Sequence, residues 1–401
     1  MQIGNMEQLL EKSVALVQRI RTEKKRYLYN EINWNNRLIG IKGARGTGKT
    51  TLLLQKLKAL KLLPTQGTYW SLDDFYFTTH TLVETAEAFF KKGGQYLFLD
   101  EVHKYENWSI HIKNLYDFYP DLKIVFTGSS IIDISREEGD LSRRMLMYTL
   151  PGLSYREYLA FNDFYYFEPI ALENMLSKDR KWAEMFPAEF KPLLYFEDYL
   201  QYGYYPFSME DKQGYTTRLQ QLVRLIVEYD MAELKGFDVR NAKKMLQLLN
   251  VVAANVPFQP NITNIAKKSD IHRNSVVLYL HFLEQAQLIK LLYASGISLA
   301  TLQKPEKVYL DNPNLAFAFS MSSPNVGNLR ETYFISQVSV RYKIAYPKQG
   351  DFLVDNTFTF EVGGKDKTSK QINTVKNGFV VADDVEFPIT KLPLWLFGFL
   401  Y

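Results

Sequence analysis

One octapeptide does most to limit what this chain can become: Gly43-Ala44-Arg45-Gly46-Thr47-Gly48-Lys49-Thr50, set between the apolar run Arg37 to Ile41 and an amphipathic stretch from Thr50 to Leu60. Its spacing, G-x-x-x-x-G-K-[ST] between a strand and a helix, is that of a phosphate-binding loop. Glycines let backbone N–H groups curl around phosphate oxygens, and the helix N-terminus adds partial positive charge. The candidate cradle is therefore Gly43, Gly46, Thr47, Gly48, Lys49, Thr50 and Thr51. Lys49 is placed to neutralise the β- and γ-phosphates, and the Thr50 hydroxyl to ligand Mg²⁺. Arg45 reaches either phosphate or solvent, and the sequence leaves both open. An ordinary glycine-rich turn would not need the full motif in this context.

A second element lies at a suitable distance. Tyr96-Leu97-Phe98-Leu99 reads as an apolar strand ending in Asp100-Glu101. Behind a phosphate loop, the acid at such a strand end holds the Mg²⁺ shell and an adjacent glutamate polarises the attacking water. Asp100 is thus the candidate metal-side carboxylate and Glu101 the candidate catalytic base, where paired acids alone would read as loop charges. A third strand, Lys123 to Phe126, ends in Thr127-Gly128-Ser129-Ser130. In ATPases with an additional strand beside the acidic one, that strand ends in a polar residue sensing the γ-phosphate. Thr127 or Ser129 fills that role, against the alternative of a strand-to-turn transition rich in small polar residues. The run Thr68 to Leu72 adds a strand ending in Asp73-Asp74, acids suited to capping the next helix. Alternating strands and helices of this length predict an α/β fold, a parallel sheet covered on both faces with the nucleotide at the strands' C-terminal ends.

Composition narrows the remainder. With 401 residues, 46% hydrophobic and 15% aromatic, the chain can bury a large core and divide into two or three domains. The absence of cysteine rules out thiol catalysis, Cys-ligated zinc and disulfides, and points to a reducing compartment. Five histidines argue against a His-built metal centre, and a net charge of +4 does not mark the whole chain as a nucleic-acid or membrane binder. The N-terminus lacks the pattern of a signal peptide. The apolar run from Leu392 to Tyr401 falls far short of the ~20 residues of a membrane helix. A soluble cytoplasmic protein with no membrane partner is expected.

The chain resembles prokaryotic AAA-type P-loop ATPases in which a winged helix and a restriction-endonuclease-like domain of unknown function come after the nucleotide domain. The resemblance rests on Gly43 to Thr51, on Leu99-Asp100-Glu101-Val102-His103-Lys104 with Asn107-Trp108, and on Phe126 to Ser130. It continues through Leu141-Ser142-Arg143-Arg144 and Leu150-Pro151-Gly152-Leu153-Ser154-Tyr155-Arg156-Glu157-Tyr158-Leu159. It is specific in the first half and looser after about residue 210. The resemblance implies ATP and Mg²⁺ as cofactors. It also implies an arginine finger at Arg143 or Arg144, with spacing favouring Arg144; a solvated basic pair is the alternative. A finger supplied in trans implies a homo-oligomer. No motif separates ATP from GTP.

The expected organisation is an N-terminal helical segment at 1–32, a P-loop core at 33–160, a helical lid at 161–240, a winged helix at 241–300 and an endonuclease-like domain at 301–401. The tyrosine-dense segment Phe196 to Pro206 suits core packing better than base stacking. In Asn261 to Ala294, a turn at Ser269-Asp270 precedes a helix with Val276, Tyr279, Leu280 and Leu283 on one face. Lys267-Lys268 and His272-Arg273-Asn274 suit DNA, although winged helices also serve as interaction modules. In the C-terminal domain the resemblance groups Glu331, Asp351 and Glu361. Active members need a lysine two residues after the second acid, and here Gly363 stands there. Lys365 or Lys367 would have to migrate into the site, and a retained fold with lost chemistry is the simpler expectation. The function expected is a Mg²⁺-dependent ATPase that moves its helical and C-terminal parts. Alternatives are an ATP-gated DNA-binding or nuclease effector, or a nucleotide-dependent assembly scaffold; DNA and protein partners both stay open.

Overall fold

Several short stretches of the first half are apolar at successive positions, and strands of that kind are stable only when both faces of their sheet are covered. The computed structural model describes residues 6–129, 141, 143–177, 185–233, 236–255, 271–296, 305–320, 324–387 and 391–401. It divides into two units, Met1–Pro151 and Gly152–Tyr401.

In the first unit β1 (Leu38–Gly43), β2 (Gly67–Ser71), β3 (Tyr96–Asp100), β4 (Lys123–Ser129) and β5 (Leu146–Thr149) form a parallel sheet of order β2-β3-β4-β1-β5. The additional strand β4 therefore separates the strand entering the glycine loop from the strand ending in the acids. Side chains alternate between faces. Leu38, Trp70, Leu97, Leu99, Ile124 and Phe126 point to one core, closed by helices α3 (Leu82–Lys91) and α4 (Trp108–Phe118), once α1 (Met6–Arg19) and α2 (Lys49–Leu60) are counted ahead of them. Ile39, Ile41, Tyr69, Phe98 and Val125 point to the other core, against Leu52, Leu53 and Leu57 of α2. Each such aliphatic or aromatic side chain contributes roughly 1.5–3 kcal/mol by leaving water. Helix α1 lies along the edge strand β2, where Ser13 Oγ accepts the Tyr69 N–H at 2.9 Å and blunts that edge. The opposite edge, β5, is largely open, with Leu146 and Thr149 exposed.

Strand β4 runs past its apolar stretch. Its ladder with β1 continues to the pair Gly43–Ser129, so Thr127, Gly128 and Ser129 are strand residues and not a turn. Asp74 does act as a helix cap: its carboxylate accepts the Tyr76 N–H at 3.0 Å, opening a short 3-10 helix, Phe75–Thr78.

The second unit contains α5 (Tyr155–Phe161), α6 (Pro192–Tyr202), α7 (Tyr215–Glu228), α8 (Ala242–Asn255), α9 (Arg273–Gln285), α10 (Pro313–Phe319) and α11 (Val326–Val338). Strands β6 (Ile289–Leu292) and β7 (Lys307–Leu310) pair antiparallel after α9. A mixed sheet is built from β8 (Ile344–Ala345), β9 (Phe352–Val354), β10 (Phe358–Gly363), β11 (Gly378–Ala382) and β12 (Leu392–Pro393), in the order β12-β11-β10-β9-β8. Strands β10 to β12 are parallel, while β8 and β9 run antiparallel to their neighbours. The tyrosine-dense segment is core: Phe196, Tyr199, Tyr204 and Tyr205 are buried, and Phe196 packs edge-on to Tyr333 at 4.8 Å. The stretch Leu153 to Leu159 is a helix start. Ser154 Oγ accepts the Glu157 N–H and the Glu157 carboxylate accepts the Ser154 N–H, a reciprocal capping box at the head of α5. Arg156 donates from Nε to the Tyr401 carbonyl at 2.8 Å and from Nη1 to that of Phe167 at 2.9 Å. On α9, Val276, Leu280 and Leu283 are buried together with Tyr279, while His272 is exposed. Asn261 to Asp270, with Lys267-Lys268, and the side chains of Arg273 and Asn274 lie outside the described residues.

Candidate active site

The loop between β1 and α2 bends at Gly46 and Gly48, whose φ angles of 84° and 96° lie in the left-handed region that side-chain-bearing residues avoid. Gly43 ends β1, and Lys49 and Thr50 open α2. Thr47 is buried and its Oγ1 donates to the Ala44 carbonyl at 2.9 Å. Lys49 is buried too, its Nζ donating to the carbonyls of Gly43 and Ala44 at 2.9 and 3.0 Å. Thr51 faces solvent on the first turn of α2. Arg26, which sequence reasoning missed, is buried behind the loop. Its guanidinium donates to the Thr47 carbonyl at 2.6 Å and the Pro151 carbonyl at 2.8 Å, tying the loop to the segment after β5.

Four elements meet on Asp100, which is 2% exposed. Thr50 Oγ1, from the loop helix, donates to Oδ2 at 2.6 Å. Tyr69 OH, from β2, donates to the same oxygen at 2.8 Å. Thr127 Oγ1, from β4, makes a short hydrogen bond to Oδ1. Burial, then the Asp100 charge, pushes the Tyr69 phenol far above its usual range, so it stays a donor at any working pH. Glu101 begins the turn after β3 with φ 53°, and its N–H donates to Thr127 Oγ1 at 3.3 Å. Its Oε2 lies 3.9 Å from Arg45 Nη2 and 3.3 Å from His103 Nε2. Ser129 is buried at the end of β4, and its N–H donates to His103 Nδ1 at 3.4 Å. Ser130 lies outside the described residues. Lys49, Thr50, Asp100, Glu101 and Thr127 are thus brought together. Tyr69 and Arg26 carried no signal of their own, one inside an apolar strand and the other in a basic tract.

The donor set suits magnesium carried in by a nucleotide. One hydroxyl and one buried carboxylate leave the remaining positions to phosphate oxygens and water, which is how Mg²⁺ is commonly held. The positive-φ glycines likewise suit a loop that turns N–H groups inward. Arg144 stands apart, in the turn before β5. Its guanidinium pairs with Asp117 of α4 through Nε–Oδ1 at 2.9 Å and Nη2–Oδ2 at 3.1 Å. Arg143 is exposed, and Ser142 lies outside the described residues.

A second cluster of acids occurs within the other unit. Glu331 is on α11, Asp351 precedes β9 and Glu361 is on β10. Lys307, at the start of β7, bridges Glu331 Oε2 at 3.0 Å and Asp351 Oδ1 at 3.2 Å. Tyr309 OH donates to Glu331 Oε2 at 2.7 Å, and Lys367 Nζ pairs with Glu361 Oε1 at 2.5 Å. Burial raises the Glu331 and Glu361 carboxyls, with Lys307 and Lys367 respectively opposing it. Each acid therefore has a lysine partner, and Lys307 was not legible as one. Among the described residues no group of three or more His, Asp or Glu is arranged to hold a metal ion.

A glycine loop on a helix N-terminus, an additional strand and a buried acid at the neighbouring strand end define a P-loop nucleoside triphosphatase fold. Residues 35–159 match a family described as an AAA domain, and residues 193–325 match a domain of unknown function, DUF8612. The first of these matches supports a nucleotide-dependent P-loop ATPase in general. An uncharacterised protein of Methanocaldococcus jannaschii is 27% identical over 439 aligned residues, spanning 97% of this chain and 92% of that protein. Among solved structures, the replication initiator DnaA bound to AMPPCP and single-stranded DNA is similar at 17% identity, covering 68% of this chain and 92% of that one, with a TM-score of 0.30. AMPPCP-bound DnaA from Aquifex aeolicus is similar at 15% identity, covering 71% and 90%, with a TM-score of 0.27. Scores this low carry no weight for the function of the chain. Among the described residues no helix is long and apolar enough to cross a membrane.

Proposed function

We propose that this protein is a Mg²⁺-dependent ATPase of the AAA type, working as a homo-oligomer, whose nucleotide cycle moves its helical, winged-helix and C-terminal parts. The observation that carries the reading is the convergence of Thr50, Thr127 and Tyr69 on the carboxylate of Asp100 beside the loop that bears Lys49. Backbone N–H groups from Gly43 to Thr51 and the Lys49 ammonium hold the phosphates. Thr50 and Asp100 are the residues that would hold Mg²⁺, which supplies neutralising charge on the phosphate oxygens. Glu101 takes a proton from the attacking water as the new P–O bond forms, and the bond electrons of the broken P–O bond leave with the ADP oxygen. Thr127, or Ser129 at the buried strand end, orients that water against the γ-phosphate. Arg144 stabilises the charge spread over the transferring group, in the site of a neighbouring subunit. The helix α9 and the β6–β7 pair support the winged-helix reading, a helix with an antiparallel wing after it.

The test is phosphate release from Mg-ATP, titrated against protein concentration, with and without single- and double-stranded DNA. Turnover whose specific rate rises with concentration is expected, and Lys49→Ala should lose tight nucleotide binding. Glu101→Gln should keep binding and stop turnover; hydrolysis at the parental rate would remove Glu101 from its role. Nucleotide-dependent mass without turnover would instead favour the assembly scaffold. Plasmid nicking abolished by Asp351→Asn or Glu361→Gln would favour the nuclease effector. The lysine partners of Glu331, Asp351 and Glu361 weigh against that last reading.

A further inference from the structure

We propose that His103 is the positioning residue for Glu101: Nε2–H steadies the carboxylate, and Nδ1 ties it to the end of β4. The inference rests on the reading of Glu101 as the water-activating base. Three observations carry it. The His103 side chain is 5% exposed, held in the turn that succeeds the acidic strand. Its Nδ1 accepts the Ser129 N–H at 3.4 Å, so the neutral ring carries its proton on Nε2. Among the described residues that buried Nε2 has no hydrogen-bond partner, and it faces Glu101 Oε2 at 3.3 Å. A buried N–H is costly to leave unpaired, and a small rotation of the carboxylate completes the bond.

The ring is a donor throughout the working range. Burial, then the charges of Lys104, Lys49 and Arg45, hold its pKa down to about 3, so it stays neutral. The Glu101 backbone is in the left-handed region at φ 53° and its side chain is 21% exposed, so His103 adds a fixed point for its oxygens. With His103 on Oε2, the orientation of the carboxylate that takes the proton from water is set. The same ring bonds the strand end that carries Thr127 and Ser129, so the base and the γ-phosphate sensors are held by one connected set of bonds.

The experiment compares His103→Ala, His103→Gln and His103→Asn in the full chain, with the parent and Glu101→Gln beside them. A glutamine amide nitrogen stands near Nε2, whereas an asparagine amide stands near Nδ1. Turnover of His103→Ala should fall roughly tenfold to a hundredfold, the scale of a misplaced reacting group. Affinity for a non-hydrolysable ATP analogue should hold within about twofold, as for an interaction made only in the transition state. Glutamine should restore most of the loss and asparagine little of it. Parental turnover in His103→Ala, equal rescue by asparagine, or a parallel loss of nucleotide affinity and thermal stability would overturn the proposal. If Glu101→Gln turns over like the parent, or the parent does not turn over, the underlying reading fails and His103 falls with it. If Glu101→Gln stalls while His103→Ala does not, only the His103 proposal fails.

Discussion

Replacing Lys307 by methionine tests how the second unit tolerates its acids. The residue is 8% exposed, and its ammonium is 3.0 Å from Glu331 and 3.2 Å from Asp351, whose side chains are each 15% exposed. Methionine keeps the apolar stem and removes the cation, leaving two carboxylates facing each other. Breaking a buried pair from one side costs about 3–5 kcal/mol. In a unit of this size that lowers the unfolding midpoint by roughly 10 °C. The cost should depend on pH. Burial already raises the Glu331 carboxyl and Asp351 pushes the same way, while Lys307 opposes both. Without Lys307 the folded pKa rises further above the unfolded value. The native variant then binds a proton that the unfolded chain has released, so its stability falls as pH rises through that folded pKa, by up to about 1.4 kcal/mol per pH unit. The parental Lys307 is itself raised by its partners once burial is overcome, so its contribution persists until pH exceeds the usual lysine range. Calorimetry of parent and variant from about pH 5 to pH 8 should show a deficit that widens with pH. Millimolar Mg²⁺ should recover part of it in the variant alone, since two facing carboxylates then accept an external cation. A deficit of the same size at every pH would mean that only packing was lost, and would refute the electrostatic account.

Arg26→Met removes a charged donor from two carbonyls, at 2.6 and 2.8 Å. A loss of about 1.5–3 kcal/mol per bond is expected, with weaker binding of an ATP analogue by calorimetry; parental midpoint and affinity would contradict it. Tyr69→Phe takes one donor from Asp100 while Thr50 and Thr127 remain, so the first unit should lose about 1 kcal/mol in denaturant unfolding and turnover should change less than in Glu101→Gln. Mixing Arg144→Ala with Glu101→Gln, each inactive alone, should restore phosphate release, because an intact base in one subunit then meets an intact arginine from another. No recovery, with both variants shown to co-assemble, would place the arginine's action within its own subunit.

The elements legible in the sequence are those written in contiguous residues. The glycine loop, its flanking strand and helix, and the acidic strand each carry a local pattern, and the parallel sheet results from covering all of them on both faces. Strand β4 was legible only to Phe126, because its last residues turn polar where they face the site while their ladder with β1 continues. The stretch around Ser154 reads as a signature in sequence and as a helix cap in structure, so its spacing comes from the capping box. The features that stayed hidden depend on partners far along the chain. Arg26 meets Pro151, Tyr69 meets Asp100, Arg144 meets Asp117 and Lys307 meets Glu331, and no local period marks either member. His103 was visible only as a neighbour of the acids; its role rests on where β4 ends.

The arrangement around Asp100 also explains why the sheet order matters for chemistry. Placing β4 between β1 and β3 sets Gly43 opposite Ser129 and Leu99 opposite Phe126, so the loop, the acids and the polar strand end reach the same level. One carboxylate then accepts bonds from the loop helix, from β2 and from β4. These side-chain donors are fixed by neighbouring elements and need little rearrangement when charge develops nearby. Glu101, one residue on, is joined to Thr127 through its N–H. A base held this way moves when β4 moves, so in the proposed ATPase a shift of that strand end on meeting the γ-phosphate reaches the sensor and the base together.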